Sequence, residues 1–403
     1  MEFTRFFDQA DREENIYQYF PFEVPLGAEG VAITMTHDGK ASVIDLGLFD
    51  PFGFRGWSGS EREWVAVTAG EATPGYIPGE IPGGTWLVSL GLHQIEDSGV
   101  NVKVTVEFGI PRFPKLPSSP IPLNRPAPRG LIAPKGWRWI PSDFHSHSLH
   151  SDGNLSLEEL ANLGIKQGLE LLAITDHNTV SHHDHLPGIS KKFGINLLAG
   201  QEVTTARGHA NAFGKIEWVD YRQATDKWLA DTKGLGGLLS INHPVAYPCH
   251  WDLDIPNGLK FLELWHSSWD QKSEEPFEFW ERAGRPIPIG GSDFHRHGRD
   301  GLPGQPTTWI LSEAESFEIR ESDILDALTH GRVAISASVS SPVVINVEDR
   351  MHVIDAEGCT LRLPNGDTKK IISPRETFST LPGLYRLTDS KGIVQALGYA
   401  HEQ

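Results

Sequence analysis

The chain has 403 residues, 39% of them apolar and 9% aromatic, enough for a sizeable core and incompatible with intrinsic disorder. Its 35 Lys and Arg against 53 Asp and Glu leave a net charge of −18, which argues against a scaffold holding nucleic acid or anionic membrane non-specifically. Two cysteines, Cys249 and Cys359, with no C-x-x-C, exclude a disulfide framework and a thiolate zinc site, and no apolar run reaches the roughly 18 residues of a membrane span.

Residues 1–110 alternate short β-rich runs with Gly, Pro and Asp turns. Runs at 30–35, 41–46, 64–67, 85–90 and 102–108 predict strands with no helix between them, a β-sandwich or jelly roll. Residues 111–136 carry Pro111, Pro114, Pro117, Pro120, Pro122, Pro126, Pro128 and Pro134 and predict an extended, stiff linker. From 137 to 336 strand-like runs (171–174, 195–199, 238–241, 261–264, 287–289) alternate with helical segments. The clearest helix starts at Ser156 with Glu159 as a capping box and Leu157, Leu160 and Leu163 facing inward. A second begins at Pro276 with Phe277 and Trp280, and a third covers 322–330 before Gly331. That alternation predicts a parallel sheet, open or closed into a barrel, followed over 337–403 by a β-rich segment.

The histidines concentrate where the strands end. In Asp143–Gly153, His145 and His147 stand two apart, so an extended chain would turn both to one side, and Asp152 follows before a glycine turn. Later runs lead into Asp176-His177-Asn178, into Glu202 with His209 seven residues on, into Asn242-His243-Pro244, and into Ser292-Asp293-Phe294-His295. The carboxyl ends of parallel strands converge on one mouth, where imidazoles and carboxylates without thiolates suit zinc, manganese or iron. His182, His183 and His185 are read as a solvated loop. No G-x-S-x-G, P-loop or activated cysteine offers another nucleophile.

In their order and spacing these motifs resemble the PHP (polymerase and histidinol phosphatase) superfamily over about residues 138–336. The resemblance implies a distorted, TIM-like (β/α)7 barrel with two or three divalent metals, here preceded by the all-β sandwich. It assigns His145, His147, Glu202 and Asp293 to a first metal, with Glu202 bridging to a second held by His209 and His243. Asp152, His177 and His295 would hold a third. The Gly208–Gly214 run and the β-domain before the barrel look most like the CehA/McbA-type metallohydrolases, some of which resemble carbaryl hydrolases. A hydroxide between two ions about 3.5–4 Å apart would then attack phosphorus or a carbonyl carbon. Glu202, Asp293, His243 and His295 are the expected catalytic groups acting through those ions, and Asp176 and Asn178 orient them.

Residues outside the metals bear on the substrate. Arg207, Arg296 and Arg299 could receive a phosphate, with Asn178 touching substrate. Tyr247 and Trp251, with His250, Trp265 and Trp269, could wall an aryl or nucleobase pocket, or be ordinary core. The leading expectation is a phosphoesterase acting on small organic phosphates or nucleotides. A carbamate or carboxyl-ester hydrolase and a non-catalytic PHP interaction module are the alternatives. The expected partner is a small-molecule substrate, with no membrane and no stable nucleic-acid binding, and a homo-oligomer is compatible with the sequence. The start at Met1–Arg5 shows no signal peptide, which predicts a reducing, cytoplasmic setting.

Overall fold

A computed structural model describes residues 1–118, 124–214, 216–314 and 318–401. Pro120 and Pro122 of the expected linker lie outside the described residues. The chain divides into two units, one of Met1–Pro117 with Ser148–Gly153 and Asp176–Asp184, the other of Ser118–His147, Asn154–Thr175 and His185–Gln403.

The first unit has eight strands: β1 (Glu2–Phe7), β2 (Tyr17–Val24), β3 (Gly30–His37), β4 (Val43–Asp50), β5 (Gly53–Trp57), β6 (Trp64–Thr68), β7 (Gly84–Gln94) and β8 (Val100–Phe108). They form two four-stranded antiparallel sheets, ordered β1-β8-β3-β6 and β2-β7-β4-β5. Alternation drives the pairing. In β8, Val100, Val102, Val104 and Val106 are buried between exposed or half-exposed neighbours, and they share one core with Ile33, Leu46, Leu48, Trp86 and Val88. One expectation needs correcting, because a helix does occur here, at Gln9–Glu14. It buries no residue, so it has no apolar period to read, and is held by a reciprocal capping box between Asp8 and Asp11.

The second unit continues with β9 (Trp137–Asp143), β10 (Leu171–Ile174), β11 (Asn196–Thr205), β12 (Gly208–Phe213), β13 (Leu238–Ile241), β14 (Phe261–His266), β15 (Ile287–Gly291), β16 (Thr307–Glu313) and β17 (Val333–Ser336). They belong to one large sheet ordered β15-β14-β13-β12-β11-β10-β9-β16-β17, which the C-terminal strands extend through pairing of Val394–Ala400 with β17. β9 to β11 and β13 to β15 run parallel, with helices Leu157–Lys166, Leu186–Phe193 and Glu275–Arg282 among the crossovers. Strict alternation is broken by β12, which returns antiparallel from β11 and pairs with β13. The Ser156 box holds as expected, with Leu157, Leu160 and Leu163 buried. The strand succession curls on itself: the Asp293 N–H donates to His145 O, and the His147 N–H to Phe294 O, both at 2.9 Å, beside a parallel bridge between Ser146 and Phe294. The described part of the proline-rich stretch is pinned rather than free, with the Trp139 indole donating to Ile132 O at 3.0 Å and Arg125 to Leu169 O at 3.0 Å. No helix among the described residues is long and apolar enough to cross a membrane.

Candidate metal centre

β9 ends at Asp143 and the chain runs on extended, so His145 and His147 turn to one side. The buried Asp143 carboxylate accepts N–H bonds from His145 at 3.1 Å, Ser292 at 3.0 Å and Gly304 at 2.7 Å, tying the ends of β9 and β15 together. Only glycine fits at Gly291, where a Cβ would fall 2.3 Å from the His145 Cβ and 2.7 Å from Glu263 Oε1. Two residues further on, Asp293 has a φ of 52°, and His243 beyond β13 has a φ of 27°, conformations that turn both side chains back at the strand ends.

These turns build one cluster. His145 Nε2 lies 3.0 Å from Asp293 Oδ1 and 3.2 Å from Glu202 Oε1. His147 Nε2 lies 2.9 Å from the same Asp293 oxygen and 3.4 Å from Glu202 Oε2. Glu202 Oε1 is also 3.2 Å from His209 Nδ1 and 3.3 Å from His243 Nε2, and accepts the Asn242 amide at 2.8 Å. One buried carboxylate therefore serves four imidazoles.

The protonation pattern tests whether a cation belongs there. His145 Nδ1 is 2.9 Å from Glu263 Oε1, and an ionised carboxylate only accepts, so Nδ1 carries the proton. In the neutral ring Nε2 is then a lone pair. It makes no hydrogen bond, yet faces two carboxylate oxygens. Acceptors facing one another in a dry site need a cation, or a proton on Nε2, between them. Burial opposes a charge on His145, but Asp293, Glu202 and Glu263 outweigh it and hold its pKa well above the usual imidazole value. Burial likewise opposes ionisation of Asp293, and His145 and His295 overcome it, keeping this carboxyl well below the ordinary range. For His243 burial is outweighed by the hydrogen bond and charge of Glu202, so its pKa also rises. Imidazole nitrogens and carboxylate oxygens converging in this way fit a hard or borderline divalent ion.

Residues 143–267 match the PHP domain family. The matched stretch holds His145, His147, Glu202, His209 and His243 and stops short of Asp293 and His295. An uncharacterized protein of Methanocaldococcus jannaschii is 28% identical over 144 residues, which cover 32% of this chain and 84% of that protein. A 5′-3′ exoribonuclease of Haemophilus influenzae is 41% identical over 63 residues, 16% of this chain and 23% of that enzyme. A solved two-domain protein of Bacteroides vulgatus, containing a predicted PHP-like metal-dependent phosphoesterase, aligns over 68% of this chain and 98% of its own at 17% identity, with a TM-score of 0.45.

The other expected PHP ligands divide between the two units. His295 stacks on His147 with ring centroids 4.0 Å apart, its Nδ1 2.8 Å from Asp293 O. Asp152 and His177 belong to the first unit and form a pair of their own, with Nε2 to Oδ1 3.5 Å. Asp176 orients that unit's loops: its buried carboxylate accepts from Ser148 N at 2.8 Å, Ser148 Oγ at 2.7 Å and Ser151 Oγ at 2.7 Å. His182 corrects an expectation. It is fully buried, with Nδ1 3.3 Å from Asp176 Oδ2, so a carboxylate inside the loop draws it in.

The expected substrate residues fare differently. Arg207 is 63% exposed and pairs with Asp252 at 3.4 Å, and Arg299 is 75% exposed beside Asp300. Surface pairs of this kind account for both without a ligand. The Arg296 backbone donates to Asp300 Oδ2 at 2.8 Å. Asn178 is buried with a φ of 52°. Tyr247 is exposed and stacked on His250. Trp251 is buried edge-on against Trp228, and Trp265 and Trp269 are buried against each other, so packing claims these three indoles. Sequence reasoning missed Glu263 and His266. Glu263 Oε2 accepts the His243 N–H at 2.7 Å, and His266 Nε2 lies 3.1 Å from Asp293 Oδ2. A lone glutamate within Phe-Leu-Glu-Leu-Trp and a histidine at that strand's end were the available signals.

Proposed function

We propose that this chain is a metal-dependent phosphoesterase acting on small organic phosphates or nucleotides, with the ring of strands read as a distorted (β/α)7 barrel. The observation that carries the reading is the His145 Nε2 atom held between the Glu202 and Asp293 carboxylates, with the same Glu202 shared by His209 and His243. His145, His147, Glu202 and Asp293 would hold one divalent ion, and Glu202, His209 and His243 a second. When bound, such ions polarise an ester and make hydroxide available from water near neutral pH.

The protein's own part is orientation. Glu263 fixes the tautomer of His145 and the backbone of His243, while the Asn242 amide holds the Glu202 carboxylate. Arg296 remains the arginine proposed to meet substrate. A phosphate ester is favoured because one relative is named a 5′-3′ exoribonuclease. Placement in the CehA/McbA-type branch rests on the Gly208–Gly214 run, whose strand β12 is buried throughout and carries His209. A reducing, cytoplasmic setting belongs to the same proposal, as both Cys249 and Cys359 are free thiols.

The test is phenol release by zinc- or manganese-loaded protein from matched aryl phosphate, aryl phosphodiester and aryl N-methylcarbamate, with Asp293→Ala as blank. Turnover of the phosphates supports the proposal. Turnover of the carbamate alone replaces it with the carbaryl-hydrolase type, and silence on all three with metal bound turns it into a non-catalytic module.

A further inference from the structure

The N-terminal sandwich does more than precede the barrel. Its unit includes the two short loops that carry Asp152 and His177. Arg62, just before β6, donates through Nη1 to Ser151 O at 3.0 Å and through Nη2 to Leu149 O. The Ser151 carbonyl belongs to the peptide unit that ends in the Asp152 nitrogen, so the guanidinium fixes the peptide plane from which Asp152 projects. On the other loop, Thr179 Oγ1 donates to Gly75 O at 2.8 Å, and the Gly75 N–H donates to Ser181 Oγ at 3.0 Å. Thr179 and Ser181 follow His177 by two and four residues. Gly75 has a φ of 99°, and a Cβ there would fall 2.9 Å from His150 O, so the loops close directly on sandwich backbone. Ser181 Oγ also lies 2.7 Å from His150 Nδ1, linking the two loops to each other.

We infer that the N-terminal sandwich is an integral part of a divalent-cation site at Asp152 and His177, with Arg62 as the residue that positions Asp152. This rests on the metal-dependent reading above. It assigns the sandwich a role in metal binding, distinct from a carbohydrate- or partner-binding appendage. A positioning contact of this kind is worth about 10–100-fold in metal affinity.

The experiment is titration of the full-length, chelator-stripped protein with Mn2+, followed by calorimetry and by elemental analysis of bound metal. Asp152→Ala identifies which ion the pair holds. Arg62→Ala is expected to weaken that same ion at least tenfold and leave the others within threefold, with Arg62→Lys restoring part of the loss. Thr179→Val, which removes the hydroxyl bond to Gly75 while keeping Arg62, is expected to weaken the same ion and decides the matter if Arg62→Ala does not fold. Wild-type affinities in both variants, or a uniform loss of every ion, would overturn the inference while leaving the metal-dependent reading intact. A wild-type protein that takes up no divalent ion would overturn both.

Discussion

Asp45 offers the most quantitative test of the electrostatics. It lies on β4 opposite Gly91 of β7, where a Cβ at Gly91 would come 3.0 Å from Asp45 Oδ2. Its pKa reflects no hydrogen bond to the carboxylate, and burial pushes it up to about 7, with His177 pulling it down and Asp152 pushing it further up. An unfolded aspartate titrates near 3.9. Between about pH 4 and 7 the folded protein therefore keeps a proton that the unfolded chain has released, so this contribution is full below pH 4 and is lost as pH rises through 7. Three units correspond to about 4 kcal/mol as a ceiling, and partial access to water brings the expectation to about 2 kcal/mol. Asp45→Asn removes the charge without changing shape. In the metal-free protein it should raise Tm at pH 8 by about 4–8 °C and leave it nearly unchanged at pH 4.5. Thermal unfolding in chelator at both pH values measures this directly. Equal shifts at the two pH values, or a less stable variant at pH 8, would refute the reasoning.

Asp293→Ala and His147→Ala should each lose the tightest ion and all turnover while keeping the far-ultraviolet circular dichroism of the parent; full activity in either would remove the assignment. Glu263→Gln keeps a hydrogen bond to His145 but loses the carboxylate charge, and should weaken zinc about 10–100-fold in competition with a chelating dye. Because His145 and His243 are raised by their carboxylate neighbours, metal uptake must displace protons, and affinity should fall as pH falls from 8 to 6. A calorimetric enthalpy independent of buffer ionisation heat would contradict that. Arg207→Ala should change KM for an aryl phosphate less than about threefold, since its guanidinium is exposed and already paired with Asp252.

Most of the candidate ligands were legible because they sit just past the carboxyl end of an apolar strand-like run, although Glu202 proves to lie inside β11 and His209 near the start of β12. In the structure His145, His147, Glu202, His209, His243 and Asp293 lie together in one cluster. Glu263 and His266 escaped because the run at 261–264 reads as a buried strand, and a charge inside it breaks the pattern that identifies it. β12 escaped for a different reason: Gly-His-Ala-Asn-Ala-Phe is buried at every position, so small size replaces alternation. The anchoring of the Asp152 and His177 loops was illegible in principle. It depends on hydrogen bonds between residues 87–106 positions apart, such as Arg62 with Leu149 and Gly75 with Ser181, which leave no local period.

Three strand ends share one backbone device. Asn178 after β10, His243 after β13 and Asp293 after β15 all adopt positive φ, at 52°, 27° and 52°. Each such non-glycine residue costs on the order of 1–2 kcal/mol and persists only where surrounding contacts hold it. Those contacts are present: the His243 N–H is held by Glu263 Oε2 and the Asp293 N–H by His145 O. The strain is therefore set against residues of the candidate cation site. A folded state that gathers the Glu202 and Asp293 carboxylates around His145 at about 3 Å favours a proton on that ring, which a bound cation would have to displace. A ligand that binds only the folded form adds stability in proportion to the logarithm of its free concentration over Kd. Strained candidate ligands and a proton that a cation would displace thus have one joint consequence, a proposed centre whose folding, protonation and metal affinity are coupled.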